Sequence, residues 1–219
     1  MTVGRAALSS QRRRGPAKGD LKEQAILETC ERLLSKRPLR DITVDELAAG
    51  AGISRPSFYF YFESKDAVLR ELVAGIAEQM YRESERWLEG SDDALDPAEI
   101  ATRSIEASAR LWREHGPVLR AANQAWGAVP EMRAFWEDTI GRFVEQSART
   151  ICDERRSGDA PDGPDPEALA KALIWMNERC CYTNSLGLGP ALTDGELVPT
   201  LTAIWLRAIY GDVTLPGEA

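Results

Sequence analysis

The sequence predicts an all-α protein of about nine helices, with an N-terminal three-helix head and a larger helical body. Three observations carry this. Apolar residues recur at helical spacing along most of the chain. The breaks between those stripes carry helix starts: Thr43-Val44-Asp45-Glu46 and Thr193-Asp194-Gly195-Glu196 fit the capping box, and Asp96-Pro97 and Asp165-Pro166 set a cap before a first-turn proline. The composition, 43% hydrophobic and 28% charged over 219 residues, supplies an ordinary globular core. That balance excludes collagen-like, mucin-like and wholly disordered chains. No apolar run approaches the ~20 residues that span a bilayer.

Residues 1–19 read as a flexible basic arm. Arg5, Arg12, Arg13, Arg14 and Lys18 fall there, and Gly15-Pro16 and Gly19 break any helix. Such an arm can lie along phosphates or enter a minor groove; a solubilising tail is the other reading. It has no apolar stretch of the secretory kind, so a cytoplasmic protein is expected.

From Asp20 to Lys36 a helical stripe runs through Leu21, Ala25, Ile26, Cys30, Leu33 and Leu34, and Pro38 ends it. Thr43 opens a short helix that Gly50 and Gly52 close. Ser54 caps the next, with Pro56 in its first turn, where a missing amide costs little. Phe58-Tyr59-Phe60-Tyr61-Phe62 has strand propensity, but caps at Ser54 and Ser64 on either side favour a helix. Ser64 caps a longer helix to about Leu88. A loop at 90–93 precedes a helix over 97–115, broken by Gly116-Pro117. Helices over 118–127 and 130–156, a loop at 157–166, and helices over 166–187 and 193–211 complete the chain. The expected divisions are therefore the arm, a helical head at 20–66, and a larger helical body at 67–219.

Residues 43–62 have helix-turn-helix spacing, which lays the second helix in a major groove. Leu47, Ala48, Ile53, Phe58 and Phe62 face inward, and Gly52 takes the sharp turn that only glycine makes freely. Arg55 and Lys65 stand at helix starts, where the dipole disfavours a cation unless an anion sits beside it. Arg55 can reach a guanine edge or a phosphate. Ser57 and Tyr59 fall on the outward face, and Tyr61 either joins them or packs between helices. Thr43 divides its hydroxyl between cap and phosphate. With Ser54 and Pro56 at the helix tip, these residues form the expected DNA surface. Charge agrees: residues 1–70 hold 13 Lys/Arg against 9 Asp/Glu, while residues 71–219 hold 14 against 26. A basic head meets a polyanion that an acidic body repels.

In the body, Trp136, Ile140, Phe143 and Ser147 share one helical face, and Asn177, Cys181 and Tyr182 another. All six tryptophans lie beyond residue 70, as core or as the wall of a cavity. Cys180-Cys181 reads as two small buried thiols. The last two helices carry Leu169, Leu173, Met176, Cys180, Leu197, Leu201, Ile204, Ala208 and Ile209, more apolar surface than two peripheral helices of a monomer need. A homodimer through these helices would bury it and space two recognition helices about one DNA turn apart.

Thr43 to Ala48, Gly52-Ile53-Ser54, Ser57 to Phe62 and Ser64-Lys65 resemble the N-terminal signature of TetR-type transcriptional regulators. Trp175-Met176-Asn177-Glu178-Arg179 and Ile204-Trp205 resemble the EthR-like branch. The resemblance implies a long, largely apolar pocket, with Trp112, Trp136, Phe143, Asn177 and Trp205 in its lining. It implies a ligand-responsive repressor that leaves double-stranded operator DNA when a small lipophilic effector binds. Repression follows from the resemblance alone. A helical enzyme for a lipophilic substrate and a ligand-independent DNA-binding regulator are the other readings. The chain has one histidine and no G-x-S-x-G, H-E-x-x-H, E-x-x-H pair or phosphate loop, so no catalytic site, metal or cofactor is expected.

Overall fold

A computed structural model describes residues 18–88 and 97–211. These form eight α-helices and one 3₁₀ turn (Leu39–Asp41), with no strand among the described residues. The helices are α1 (Lys18–Leu34), α2 (Val44–Gly50), α3 (Arg55–Tyr61), α4 (Lys65–Leu88), α5 (Pro97–Trp126), α6 (Pro130–Ser157), α7 (Pro166–Ser185) and α8 (Asp194–Tyr210). Residues 1–17 of the basic arm, the loop at 90–93 and the Asp96 cap lie outside the described residues, whereas Lys18 and Gly19, expected in the arm, form the first turn of α1.

Local chemistry sets most boundaries. The Thr43 hydroxyl accepts from the Glu46 amide at 3.3 Å, and the Glu46 carboxylate accepts from the Thr43 amide at 2.9 Å. Orphan amides at the start of α2 are thus satisfied in both directions. On α8 the Glu196 carboxylate likewise accepts from the Thr193 amide at 2.9 Å and from its hydroxyl at 2.7 Å. Ser54, Ser64 and Asp165 accept from the amides of Ser57, Ala67 and Ala168. Gly52 holds φ at +64° between α2 and α3, which is why the turn needs glycine.

The aromatic run is helical through Tyr61, and Phe62 turns extended. Phe58 and Phe62, one helical turn apart, are both buried, with ring centroids 6.2 Å apart. Burial of that inner face in the core of the head outweighs strand propensity. Ile26, Cys30, Leu47, Val68 and Leu69 complete the core of the head.

The break expected at Gly116-Pro117 is present as a kink within α5. Non-helical geometry at His115 (φ −112°, ψ 17°) divides that helix into two segments. Pro117 lacks an amide and its ring crowds the carbonyl one turn back, which kinks a helix that packing keeps running. Counted across the kink as one helix, α5 makes eight helices where about nine are expected.

In the body α5 packs on α4, α7 and α8, and α6 packs on α7. The head is joined to it by α1 packing on α4 and α5. Helix α4 belongs to both parts. Ala67, Val68 and Leu69 sit in the core of the head, and Val73, Ile76 and Met80 line a cavity in the body. The apolar stripe of α7 and α8 divides similarly. Leu173, Leu197 and Leu201 are buried within the protomer and Ile209 lines the cavity, while Ile204 is exposed. Part of the surface assigned from sequence to a dimer face is therefore protomer core.

Candidate DNA interface and effector cavity

Helix α3 turns Phe58 inward and leaves most of its other side chains in solvent. Ser54, Arg55, Pro56 and Ser57 are exposed, Tyr59 is 48% exposed, and Tyr61 is half-buried. Arg55 donates to the Asp45 carboxylate at 2.8 Å, and a hydrogen bond to Tyr59 is the main reason its pKa is raised. The guanidinium is thus aimed across the α2–α3 face by partners that are themselves exposed. Such a pair is weak in water and readily exchanged for a stronger acceptor. Ser54 and Ser57 hydroxyls meet at 2.8 Å, on the tip of the helix.

Phe60 is the residue that sequence reading missed. It is 85% exposed, the most exposed large apolar side chain among the described residues. Its signal lay in the register: with Phe58 and Phe62 inward, position 60 must point out.

Thr43 keeps its hydroxyl in the capping box, where it also donates to Glu46 at 2.9 Å. Lys65 is used inside the protein. Its ammonium donates to the carbonyls of Leu39 (2.8 Å), Arg40 (3.1 Å) and Ile42 (2.9 Å). The cation at that helix start, which in the sequence points to a phosphate, is balanced by three carbonyl oxygens. All three of its donors are taken, and it ties α4 to the 3₁₀ turn.

The body encloses a cavity of about 250 Å³ between α4, α5, α6, α7 and α8. Trp112, Trp136, Ile140, Phe143, Ser147, Asn177 and Trp205 line it. Two expected residues do not. Cys181 is buried one turn beyond Asn177, and burial pushes its thiol up to about 12. Tyr182 packs edge-on against Trp112 at 6.3 Å, with the Arg179 guanidinium over its face, and so supports the wall from behind. Sharing a helix side was a sound inference, but the cavity ends before that side does. Val73, Ile76 and Met80 of α4 were missed, because nothing local separates a cavity wall from a core.

The lining is mostly apolar, with several hydroxyls, Asn177 and the carboxylates Glu154 and Glu178 among it. Trp205 donates its indole N–H to Asn177 Oδ1 at 3.0 Å, which leaves the Asn177 amide nitrogen for another acceptor. The Trp136 indole nitrogen is buried without a hydrogen-bond partner. Glu178 is buried, and one of its oxygens accepts from Asn123 at 3.0 Å. Burial raises its pKa. No three His, Cys, Asp or Glu side chains gather for a metal among the described residues. No described helix is long and apolar enough to cross a membrane.

Comparison with known proteins agrees at both ends of the chain. Residues 26–72 match the bacterial regulatory proteins of the tetR family, and residues 101–211 match the C-terminal domain of the transcriptional regulator EthR. The HTH-type transcriptional regulator EthR of Mycolicibacterium smegmatis is 37% identical over 207 residues, covering 94% of this chain and 93% of that one. EthR of Mycobacterium tuberculosis is 37% identical over 210 residues, covering 96% and 97%. Among solved structures, the TetR family regulator PfmR from Thermus thermophilus superposes with a TM-score of 0.64 at 22% identity, covering 86% and 99%. That last likeness is one of fold. The chain therefore belongs to the TetR family of bacterial transcriptional regulators, as a DNA-binding protein with an EthR-type C-terminal ligand-binding domain.

Proposed function

We propose that the chain is a cytoplasmic, homodimeric repressor that releases its operator when a small, largely apolar effector fills the cavity. The observation that carries this is the shared helix. Ala67–Leu69 of α4 share a core with Phe58 of the recognition helix, and Val73, Ile76 and Met80 of the same helix form one cavity wall. A ligand that moves this wall moves the head with it. Binding shifts the equilibrium only by its difference in affinity between the two arrangements of the head.

On DNA, Arg55 and Phe60 would meet base edges, and Ser54, Ser57, Tyr59 and Tyr61 the sugar-phosphate chain. Pro56 lets α3 begin tightly at the groove. Thr43 contributes through its cap and Lys65 by holding α4 against the 3₁₀ turn. The dimer would form through the outer faces of α7 and α8, where Ile204 is exposed and Leu169, Met176 and Cys180 are half-buried.

Fluorescence anisotropy with duplexes from upstream of the chain's own gene tests the reading. Saturable binding that weakens with salt is expected. Long-chain alcohols, amides and esters that fill the cavity, followed by tryptophan emission, should lower operator affinity. Absence of saturable binding rejects the proposal, and operator binding indifferent to a filled cavity makes the chain a ligand-independent regulator.

A further inference from the structure

Among the described residues, Glu178 is the one buried carboxylate, with its side chain 5% exposed, and it lines the cavity. Its Oε1 is satisfied by Asn123 at 3.0 Å. Its Oε2 is buried and accepts no hydrogen bond. Arg179 Nη2 forms a long ion pair with Oε2 at 3.7 Å, beyond hydrogen-bond reach, and its guanidinium also lies over Tyr182. A buried carboxyl oxygen without a donor is costly, and an apolar side chain of similar shape would be more stable there. The Trp136 indole N–H in the same lining has the opposite need: it is a buried donor without an acceptor.

We infer that the effector carries a hydrogen-bond donor beside an acceptor, as in a fatty amide or fatty alcohol, and that Glu178 selects for the donor. This rests on the cavity being the effector site. The ligand's N–H or O–H pairs with Glu178 Oε2, and its oxygen accepts from Trp136. An ester or a dialkyl amide of the same chain length has no donor and leaves Oε2 without a hydrogen bond against the ligand. Sites built around a polar group reject analogues that lack its partner far more sharply than apolar walls reject a methylene. The Asn123 bond to Oε1 holds the Glu178 carboxylate in place beside the cavity.

Tryptophan emission titrations with dodecanamide, N,N-dimethyldodecanamide and methyl dodecanoate test this on the wild-type chain, Glu178→Gln and Glu178→Leu. The wild type is expected to prefer dodecanamide over both donor-less probes by about tenfold or more. Glu178→Gln, which keeps the shape and gains a donor of its own, should accept probes of both kinds. Glu178→Leu should lose the preference while still binding the esters, with circular dichroism confirming that each variant is folded. Equal binding of the three probes by the wild type, an ester preference, or a preference that survives in Glu178→Leu overturns the inference and leaves the effector site standing. If no probe binds, the effector-site reading itself falls.

Discussion

His115 Nδ1 lies 2.6 Å from Glu31 Oε1, joining residues 84 positions apart in the chain. Glu31 is on α1 in the head, and His115 is the residue at which α5 bends. Cavity-lining residues stand on both sides of that bend, Ser108 and Trp112 before it and Leu119 after it. The contact therefore sits where the wall of the cavity meets the head. Together with α4, it gives the head two independent attachments to whatever the cavity contains.

Replacing Glu31 with Gln or His115 with Ala should uncouple the two ends more than it unfolds the protein. Both side chains are partly exposed, so the pair contributes little to stability. Operator affinity without effector should stay within a few-fold, while the effector-induced loss of affinity shrinks. The measurement is a thermodynamic cycle: operator Kd with and without a saturating cavity probe, for wild type and variants. An unchanged ratio would make the contact a clamp without a role in release.

Phe60→Ala should weaken operator binding on the order of tenfold, with no loss of thermal stability, because the ring touches little of the protein. The natural counterpart of an exposed ring in a major groove is a thymine methyl group. Substituting uracil for thymine one position at a time removes single methyls. One such position should cost the wild type as much as Phe60→Ala does, and should cost the Phe60→Ala protein nothing further. Losses that add fully would place the ring elsewhere.

The head was largely legible because its signals are local. A capping box, a glycine turn and an inward aromatic pair each act within a few residues, and the structure places Thr43, Gly52, Phe58 and Phe62 accordingly. What escaped the sequence depends on partners far along the chain. Lys65 finds its carbonyls some two dozen residues earlier, and Glu178 finds Asn123 55 residues earlier. The break at Gly116-Pro117 was legible for the same local reason as the head, since His115 leaves helical geometry there. The α7 and α8 stripe could not reveal which of its residues face the protomer, since periodicity reports a face and never the neighbour.

Gly50→Ala should destabilise the head by about 1–3 kcal/mol through overpacking. An added methyl at position 50 would lie 2.3 Å from Thr29 Cγ2 and 2.8 Å from its hydroxyl. Thr29 is buried and β-branched, so it has few rotamers in which to escape. Chemical denaturation of Gly50→Ala against the double variant with Thr29→Ala checks the cause. Removing the Thr29 branches should restore most of the loss, whereas a purely backbone effect at position 50 would leave the double variant as unstable as the single one.

Glu46 should make the head acid-sensitive within a defined window. Its carboxylate is held by Arg37 and by the amide and hydroxyl of Thr43, which lower its pKa from 4.5 to about 2. A carboxyl group with a depressed folded pKa stabilises the fold at pH above its unfolded value. That stabilisation is lost as pH falls through the folded value. The window therefore runs from about 4.5 down to about 2. Glu46→Gln keeps a side chain able to cap α2 but loses the charge that binds Arg37. Its melting temperature should lie below the wild type's at neutral pH, and the gap should close as pH falls through that window. A gap that holds constant to pH 3 would assign the effect to cap geometry, with the ion pair to Arg37 contributing nothing.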